Sequence, residues 1–186
     1  MTIHTLQSAR IRLRQWCDKD LPIFADLNSD MDTMEFFPSP LNMEASDALA
    51  EKCRSLIAHR GWGLWAAEIK DTSEFIGFIG LHEVKQTLPF YPNVEIGWRL
   101  HKNYWGRGYA SEAASEVLAF AFTTLRLEKV VSFTTVSNIR SRKVMERLGL
   151  VDSHLNFKHP DIPISHSLVD HVLYEITLQQ WSSRQS

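Results

Sequence analysis

Residues 94 to 149 of this 186-residue chain restrict its fold more tightly than any other stretch, because strand patterns alternate there with helix patterns. In Val94 to His101, the residues Val94, Ile96, Trp98 and Leu100 share one face, while Glu95, Gly97 and Arg99 share the other. Ala110 to Leu125 then places Ala110, Ala114, Val117, Ala121 and Leu125 at helical spacing. Val130 to Val136 is rich in β-branched residues and predicts a second strand, and Asn138 to Leu148 predicts a helix that stops at Gly149. Two strands separated by a helix predict a parallel pair joined by a right-handed crossover.

The remaining elements extend this unit on both sides. Ile11 and Leu13 alternate with Arg10, Arg12 and Arg14 as an opening strand. Asp18 to Asn28 and Glu44 to His59 read as helices, separated by the helix-breaking Phe37-Pro38-Ser39-Pro40. Leu64 to Ile69 and Phe75 to Leu81 predict a hairpin across Lys70 to Glu74, and Val151 to Phe157 and His171 to Leu178 are the last strands. The expected fold class is mixed α/β, with a sheet of six or seven strands, a central parallel pair and about four flanking helices. No repeat, low-complexity tract or Gly/Ser linker interrupts residues 1–186, so one domain is expected.

Composition serves mainly to exclude classes. The chain is 44% hydrophobic and 23% charged, which argues against intrinsic disorder and disulfide scaffolds. Its longest apolar run, Val117 to Phe122, is far short of the roughly 20 residues that span a bilayer. The first residues lack an export-signal pattern, and Cys17 and Cys53 are the sole cysteines, so a cytoplasmic location without a required disulfide is expected. A net charge of −2 argues against binding nucleic acid by bulk charge. That total hides two opposed regions: nine acids and one Lys from Asp18 to Glu51, and nine Lys/Arg with four acids from Arg99 to Arg147. They suggest an anionic cofactor at the basic region and a cationic acceptor near the acidic one, which reads equally well as a solvated acidic helix pair.

The stretch Asn103-Tyr104-Trp105-Gly106-Arg107-Gly108-Tyr109-Ala110-Ser111-Glu112-Ala113 lies between a strand and the strongest helix. Two glycines at alternate positions allow successive N–H groups to face one concavity, and the following helix adds its unpaired N–H groups. Such a turn suits a pyrophosphate, with Arg107 adding charge. Position 111 is Ser, so the third glycine of a dinucleotide fold is missing, and the Gly-Lys-Ser/Thr of a Walker loop is absent.

Trp105-Gly106-Arg107-Gly108-Tyr109-Ala110 resembles the acetyl-CoA pyrophosphate motif of the GNAT superfamily of N-acetyltransferases. Glu95-Ile96-Gly97-Trp98-Arg99-Leu100, Asn138-x-x-Ser141, Arg147-Leu148-Gly149-Leu150 and the opening Arg10-Ile11-Arg12-Leu13-Arg14 resemble the branch that acetylates N-termini of ribosomal proteins. The resemblance spans about residues 8–178, with Trp105 where the general pattern has Gln or Arg. It implies that Trp98, Arg99 and Leu100 line the pantetheine through their backbone. It further implies that Trp105, Gly106, Arg107, Gly108, Tyr109, Ala110 and Ser111 cradle the pyrophosphate, and that Asn138 contacts the cofactor. Arg142, with Arg140 and Lys143, is then a partner for adenosine phosphates or part of a solvated helix face.

Acetyl transfer needs a neutral amine, and an α-amine titrates near 7.7 to 8.0. Glu95, on the polar face of its strand, is the candidate base, the competing reading being a structural pair with Arg99 on the same face. A backbone N–H freed by a bulge near Gly97 or Trp98 is the candidate oxyanion donor. Many family members donate a proton to the departing thiolate from a Tyr seven residues after the motif Asn, but this chain has Met145 there. Ser141 is the candidate replacement, or else a helix-capping or packing residue. His159, His166, His171 and Asp161 match no common zinc spacing and read as substrate-loop or surface residues, so no metal is expected. Trp62, Trp65, Phe36, Phe37, Phe90 and Tyr91 either flank an acceptor groove or pack in the core.

The expected function is direct transfer of acetyl from acetyl-CoA to a primary amine in a ternary complex, the acceptor by resemblance being a protein N-terminal α-amine. The alternatives are a small-molecule amine, such as a polyamine or an antibiotic, and a non-catalytic acetyl-CoA-binding module. No membrane or nucleic-acid partner is expected, and the sequence does not select between monomer and homodimer.

Overall fold

A computed structural model describes residues 2–185. The strands are β1 Leu6–Gln7, β2 Ile11–Arg14, β3 Leu64–Ile69, β4 Phe75–Glu83, β5 Val94–Leu100, β6 Lys129–Thr135, β7 Val151–Lys158 and β8 Asp170–Thr177. The helices are α1 Leu21–Ser29, α2 Met43–Arg60, α3 Tyr109–Thr123, α4 Ile139–Leu148 and α5 Leu178–Ser183. The strands run in the order β1-β2-β3-β4-β5-β6-β8-β7. The β5–β6 pair is parallel, as its helix crossover predicts, whereas β1/β2, β2/β3, β3/β4, β6/β8 and β7/β8 are antiparallel. Eight strands replace the expected six or seven because a two-residue strand, β1, adds to the edge of β2 and is too short to show a period. The fifth helix, α5, takes over Leu178 from the last expected strand, because Thr177 and Gln180 form a reciprocal capping box there.

The chain gathers into two compact units. The first comprises residues 2–81 and 97–117. Ile11 and Leu13 of β2 are buried and alternate with the more accessible Arg12 and Arg14, which confirms the period-2 reading. α1 buries Phe24, Leu27 and Asn28, and Phe24 meets Trp16 edge-on at 4.9 Å between ring centroids and Phe78 at 6.0 Å. α1 begins later than expected, since Asp18–Asp20 form a 3₁₀ turn and Pro22 stands in the first helical turn. α2 buries Ser46, Ala50, Cys53 and Ile57 at helical spacing, opens on Asn42, whose side chain accepts from the Ala45 N–H at 2.9 Å, and closes on left-handed Gly61. Gly77 of β4 has φ +135°, and a Cβ there would stand 2.1 Å from the Arg99 carbonyl oxygen, so β4 and the end of β5 approach only over a glycine.

The second unit comprises residues 82–96 and 118–185. Val130 and Val131 of β6 and Val172, Leu173, Tyr174 and Ile176 of β8 supply its core, with Met145 and Leu148 from α4. A second cluster joins Val84, Leu88, Phe90, Val131 and Leu173, with Phe133 and Phe157 packed against it. Trp181 of α5 lies 5.3 Å from Phe122 between ring centroids. Among the described residues, no helix is long and apolar enough to cross a membrane.

Candidate active site

The glycine turn falls where the sequence places it, immediately before α3. Gly106 and Gly108 both adopt left-handed φ, +74° and +81°, and nothing lies within 4 Å of a Cβ built on Gly106. The first inward helical bond runs from the Glu112 N–H to the Gly108 carbonyl at 3.0 Å, so the N–H groups of the preceding first turn precede the helix ladder. The helix dipole and these donors fit an anionic diphosphate. Trp105 turns its indole inward and donates from Nε1 to the Leu100 carbonyl at 2.8 Å, tying the entry of the turn to the end of β5. Arg107 is exposed, with its guanidinium 5.8 Å from the Tyr104 ring centre.

Arg10 is a second cation at this turn that strand periodicity did not single out. Its Nη2 donates to the Arg107 carbonyl at 3.0 Å, and its guanidinium lies 4.6 Å from the Tyr109 ring centre. Glu112 in the first turn of α3 holds it there, accepting from Arg10 Nε at 2.7 Å, from the Arg10 backbone N–H at 2.7 Å and from Ser8 Oγ at 2.6 Å. Burial raises the Glu112 pKa, but these bonds outweigh it and hold the carboxyl below its ordinary value. A basic residue one position before a strand carries no local signal of the helix, a hundred residues later, that fixes it.

The end of β5 presents Arg99 to the first two helices. Arg99 Nη1 donates to Asn28 Oδ1 at 2.6 Å, and its guanidinium lies 4.0 Å from the Phe37 ring centre and 5.4 Å from that of Phe78. The partners of Arg99 are therefore a neutral amide and two aromatic rings, rather than the acid of the competing reading. Trp98 is half-buried and Leu100 is buried. His101 and Lys102 follow, His101 Nε2 standing 3.4 Å from Asp26 and Lys102 Nζ 2.6 Å and 2.7 Å from Asp30 and Asp32. Asp18 and Glu51 pair with Arg54, and Asp20 pairs with Arg14. At least six of the nine acids of this segment thus have a basic partner within their own unit, but Arg54 and Lys102 each serve two of them, so the segment keeps a net negative charge.

In the second unit, Glu95 lies on β5 where the parallel register pairs Val94 with Val130 and Glu95 with Val131. At the next residue a side chain replaces the ladder bond, as Ser132 Oγ donates to the Ile96 carbonyl at 2.8 Å. As a whole residue Glu95 is half-buried, yet its carboxyl is packed closely enough for burial to dominate its titration. Burial pushes the Glu95 pKa up to about 8, against the downward pull of Lys85. Lys85 is itself ion-paired with Asp161.

Asn138 is the N-cap of α4, accepting from the Ser141 N–H at 3.1 Å and donating from Nδ2 to Thr134 Oγ1 at 3.0 Å. Ser141 is half-buried, and its backbone, not its hydroxyl, takes part in the cap. Arg142 turns inward, with Nε donating to the Tyr174 hydroxyl at 3.2 Å and Nη1 to the Val136 carbonyl at 3.2 Å. These bonds occupy part of the guanidinium that the resemblance gives to adenosine phosphates. Met145 is 1% exposed and serves the core.

The histidines depart from the surface reading. His171 is buried and stacks 5.0 Å from His159 between ring centroids, beside Phe133 and Phe157. Burial lowers the pKa of both imidazoles and keeps them neutral at physiological pH. Among the described residues no group of three His, Cys, Asp or Glu side chains could hold a metal ion. Of the groove candidates, Trp65 and Phe90 are core residues, whereas Phe37 and Tyr91 are exposed.

A family model described as the acetyltransferase (GNAT) domain matches residues 10–151. The chain is 28% identical over 146 residues to the uncharacterized N-acetyltransferase YoaA of Bacillus subtilis, covering 77% of this chain and 81% of that protein. It is also 28% identical over 126 residues to YdaF of the same organism, provisionally named a ribosomal N-acetyltransferase, covering 64% of this chain and 62% of that one. A GNAT-family acetyltransferase structure from Bacillus anthracis superimposes with a TM-score of 0.78 at 24% identity, covering 95% of this chain and 99% of the other. The spermidine N-acetyltransferase of Vibrio cholerae, solved with CoA and spermine, superimposes with a TM-score of 0.73 at 20% identity, covering 94% and 99%.

Proposed function

The chain belongs to the GNAT acetyltransferase family and is an N-acetyltransferase, and on that premise we propose that it moves acetyl from acetyl-CoA directly to an α-amine, that of a protein N-terminus by preference. The observation that carries this reading is Glu95, whose carboxyl titrates near 8. A base and an amine of matched pKa exchange a proton at neutral pH with little penalty in either direction. A polyamine or Lys amine, nearer 10.4, is a poorer match.

In this reading the turn from Trp105 to Ser111 holds the pyrophosphate, with Arg10 and Arg107 adding charge. Trp98, Arg99 and Leu100 offer backbone groups to the pantetheine, and Asn138 and Arg142 contribute on the side of α4. When bound, acetyl-CoA supplies the thioester and the leaving thiolate. As the C–N bond forms and the C–S bond breaks, Glu95 takes the amine proton, directly or through water, and the Ser141 hydroxyl bridges a proton to the departing sulfur, taking one from water as it gives up its own. Alignment of the two reactants accounts for much of the rate. The free thiols Cys17 and Cys53 fit a reducing cytoplasm, which completes the proposal. CoA release from acetyl-CoA is measured with peptides, polyamines and aminoglycosides; peptides are expected to turn over fastest, and faster turnover of polyamines would reject the α-amine assignment.

A further inference from the structure

Arg14 and Arg99 of the first unit have guanidinium groups with opposite surroundings, and the contrast points to a ligand. Arg14 is matched by two carboxylates, donating from Nη1 and Nη2 to Asp20 at 2.7 Å and 2.8 Å and from Nε to Glu68 at 2.7 Å. Arg99 has no carboxylate within ion-pair distance among the described residues. Its recorded bond goes to the neutral Asn28 amide, and its Nε is buried with no hydrogen-bond partner. A guanidinium carries five N–H donors, so most of its capacity is unmatched.

Scarcity of acids does not explain this. Asp26, Asp30 and Asp32 stand on and just after α1 and serve His101 and Lys102, immediate neighbours of Arg99 in the chain. Asn28, between them in sequence, is the residue that faces Arg99. Its amide is held in place because Nδ2 donates to Ser46 Oγ at 2.9 Å, and both Asn28 and Ser46 are fully buried. The chain from Ser46 to Asn28 to Arg99 therefore fixes the position of the cation without neutralising it. Phe37, 38% exposed, lies over the group at 4.0 Å, so stacking fixes the plane of the guanidinium. Burial lowers the Arg99 pKa to about 10, which is the signature of an uncompensated cation.

We infer that Arg99 is a specificity-determining residue that receives a carboxylate carried by the amine acceptor, so that the substrates are amino acids or peptides with an acidic group near the α-amine. A carboxylate matches the planar donor edge and supplies the missing charge. The inference rests on the acetyltransferase reading above and narrows its acceptor.

The test compares kcat/KM, from CoA release, within two matched pairs: a free amino acid against its decarboxylated amine, and a peptide beginning Ser-Glu against one beginning Ser-Gln. The carboxylate member should be favoured roughly tenfold to a hundredfold. Preference in the first pair assigns the α-carboxylate as the source, and preference in the second assigns an acidic side chain. In Arg99→Met and in Arg99→Lys, which keeps the charge but loses the fork, that ratio should fall at least tenfold. A wild-type ratio of one or below in both pairs overturns the inference while leaving the enzyme reading intact, as does a ratio unmoved in a folded variant. If no amine is acetylated, the function proposal fails, and a thermal-shift titration of the same acids and peptides with CoA present still decides. Stabilisation of the wild type that is lost in Arg99→Lys supports carboxylate binding, and its absence overturns it.

Discussion

Glu95 illustrates how much a single residue's surroundings add to its identity. Its place on the polar face of a strand follows from period 2, but its pKa near 8 follows from the packing around it. If Glu95 is the base, kcat/KM for an α-amine should rise with pH through an apparent pKa near 8, and Glu95→Gln should lower it by roughly 10² to 10⁴ with acetyl-CoA affinity little changed. An unaltered rate in Glu95→Gln would remove the residue from the mechanism. The raised pKa also has a stability consequence. The folded state retains a proton that the unfolded chain, at the ordinary value of 4.5, has already lost, so this contribution is full below about pH 4.5 and declines as pH rises towards 8. Glu95→Gln should therefore gain thermal stability relative to the wild type at pH 9 but not at pH 4. Arg10 was not legible as a group at the glycine turn, because Glu112 and the Arg107 carbonyl, about a hundred residues away in sequence, place its guanidinium there.

At the scale of elements, Gly149 ends α4 in the left-handed conformation and Pro38 and Pro40 lie outside any helix, as their residue types predict. Asn42 and Asn138 cap helices and Gly61 ends α2 in the same left-handed way. The turn before α3 is the element on which cofactor binding depends. At φ +81° a β-branched side chain is strained by roughly 1–2 kcal/mol, and it would fill space in the concavity that two glycines keep open. Gly108→Val should weaken acetyl-CoA binding at least tenfold by calorimetry, and undiminished affinity in a folded variant would move the pyrophosphate elsewhere. The strand β1 and helix α5 escaped sequence reading because elements of two and six residues are shorter than the window over which periodicity registers.

For the whole molecule, the near-zero net charge of −2 reflects a pattern of pairing rather than an absence of fields. Arg14, Asp20 and Glu68 form a withdrawn network in which burial opposes ionisation, and the bonds from Arg14 outweigh it, holding both carboxyls below their ordinary values of 3.8 and 4.5. The stability they contribute is present above those values and is lost as pH falls through the lower folded ones. Acid unfolding followed by circular dichroism should accordingly begin below about pH 4. Glu68→Gln should cost about 3–5 kcal/mol at pH 7 in urea unfolding, since it leaves a withdrawn Arg14 short of a partner; a cost below about 1 kcal/mol would show the network to be surface-like.

The sequence by itself determined the alternation of strands and helices, the parallel β5–β6 pair and the glycine turn before α3, because each depends on periods, caps and φ preferences set by a few adjacent residues. Only the tertiary structure decided the partners of the charged groups: Arg10 with Glu112, Arg14 with Asp20 and Glu68, Lys102 with Asp30 and Asp32, and Arg99 with no acid. The physical reason is one of range. Secondary structure is fixed by contacts within a turn or a strand pair, whereas the environment of an ionisable group depends on which distant segments the fold brings around it.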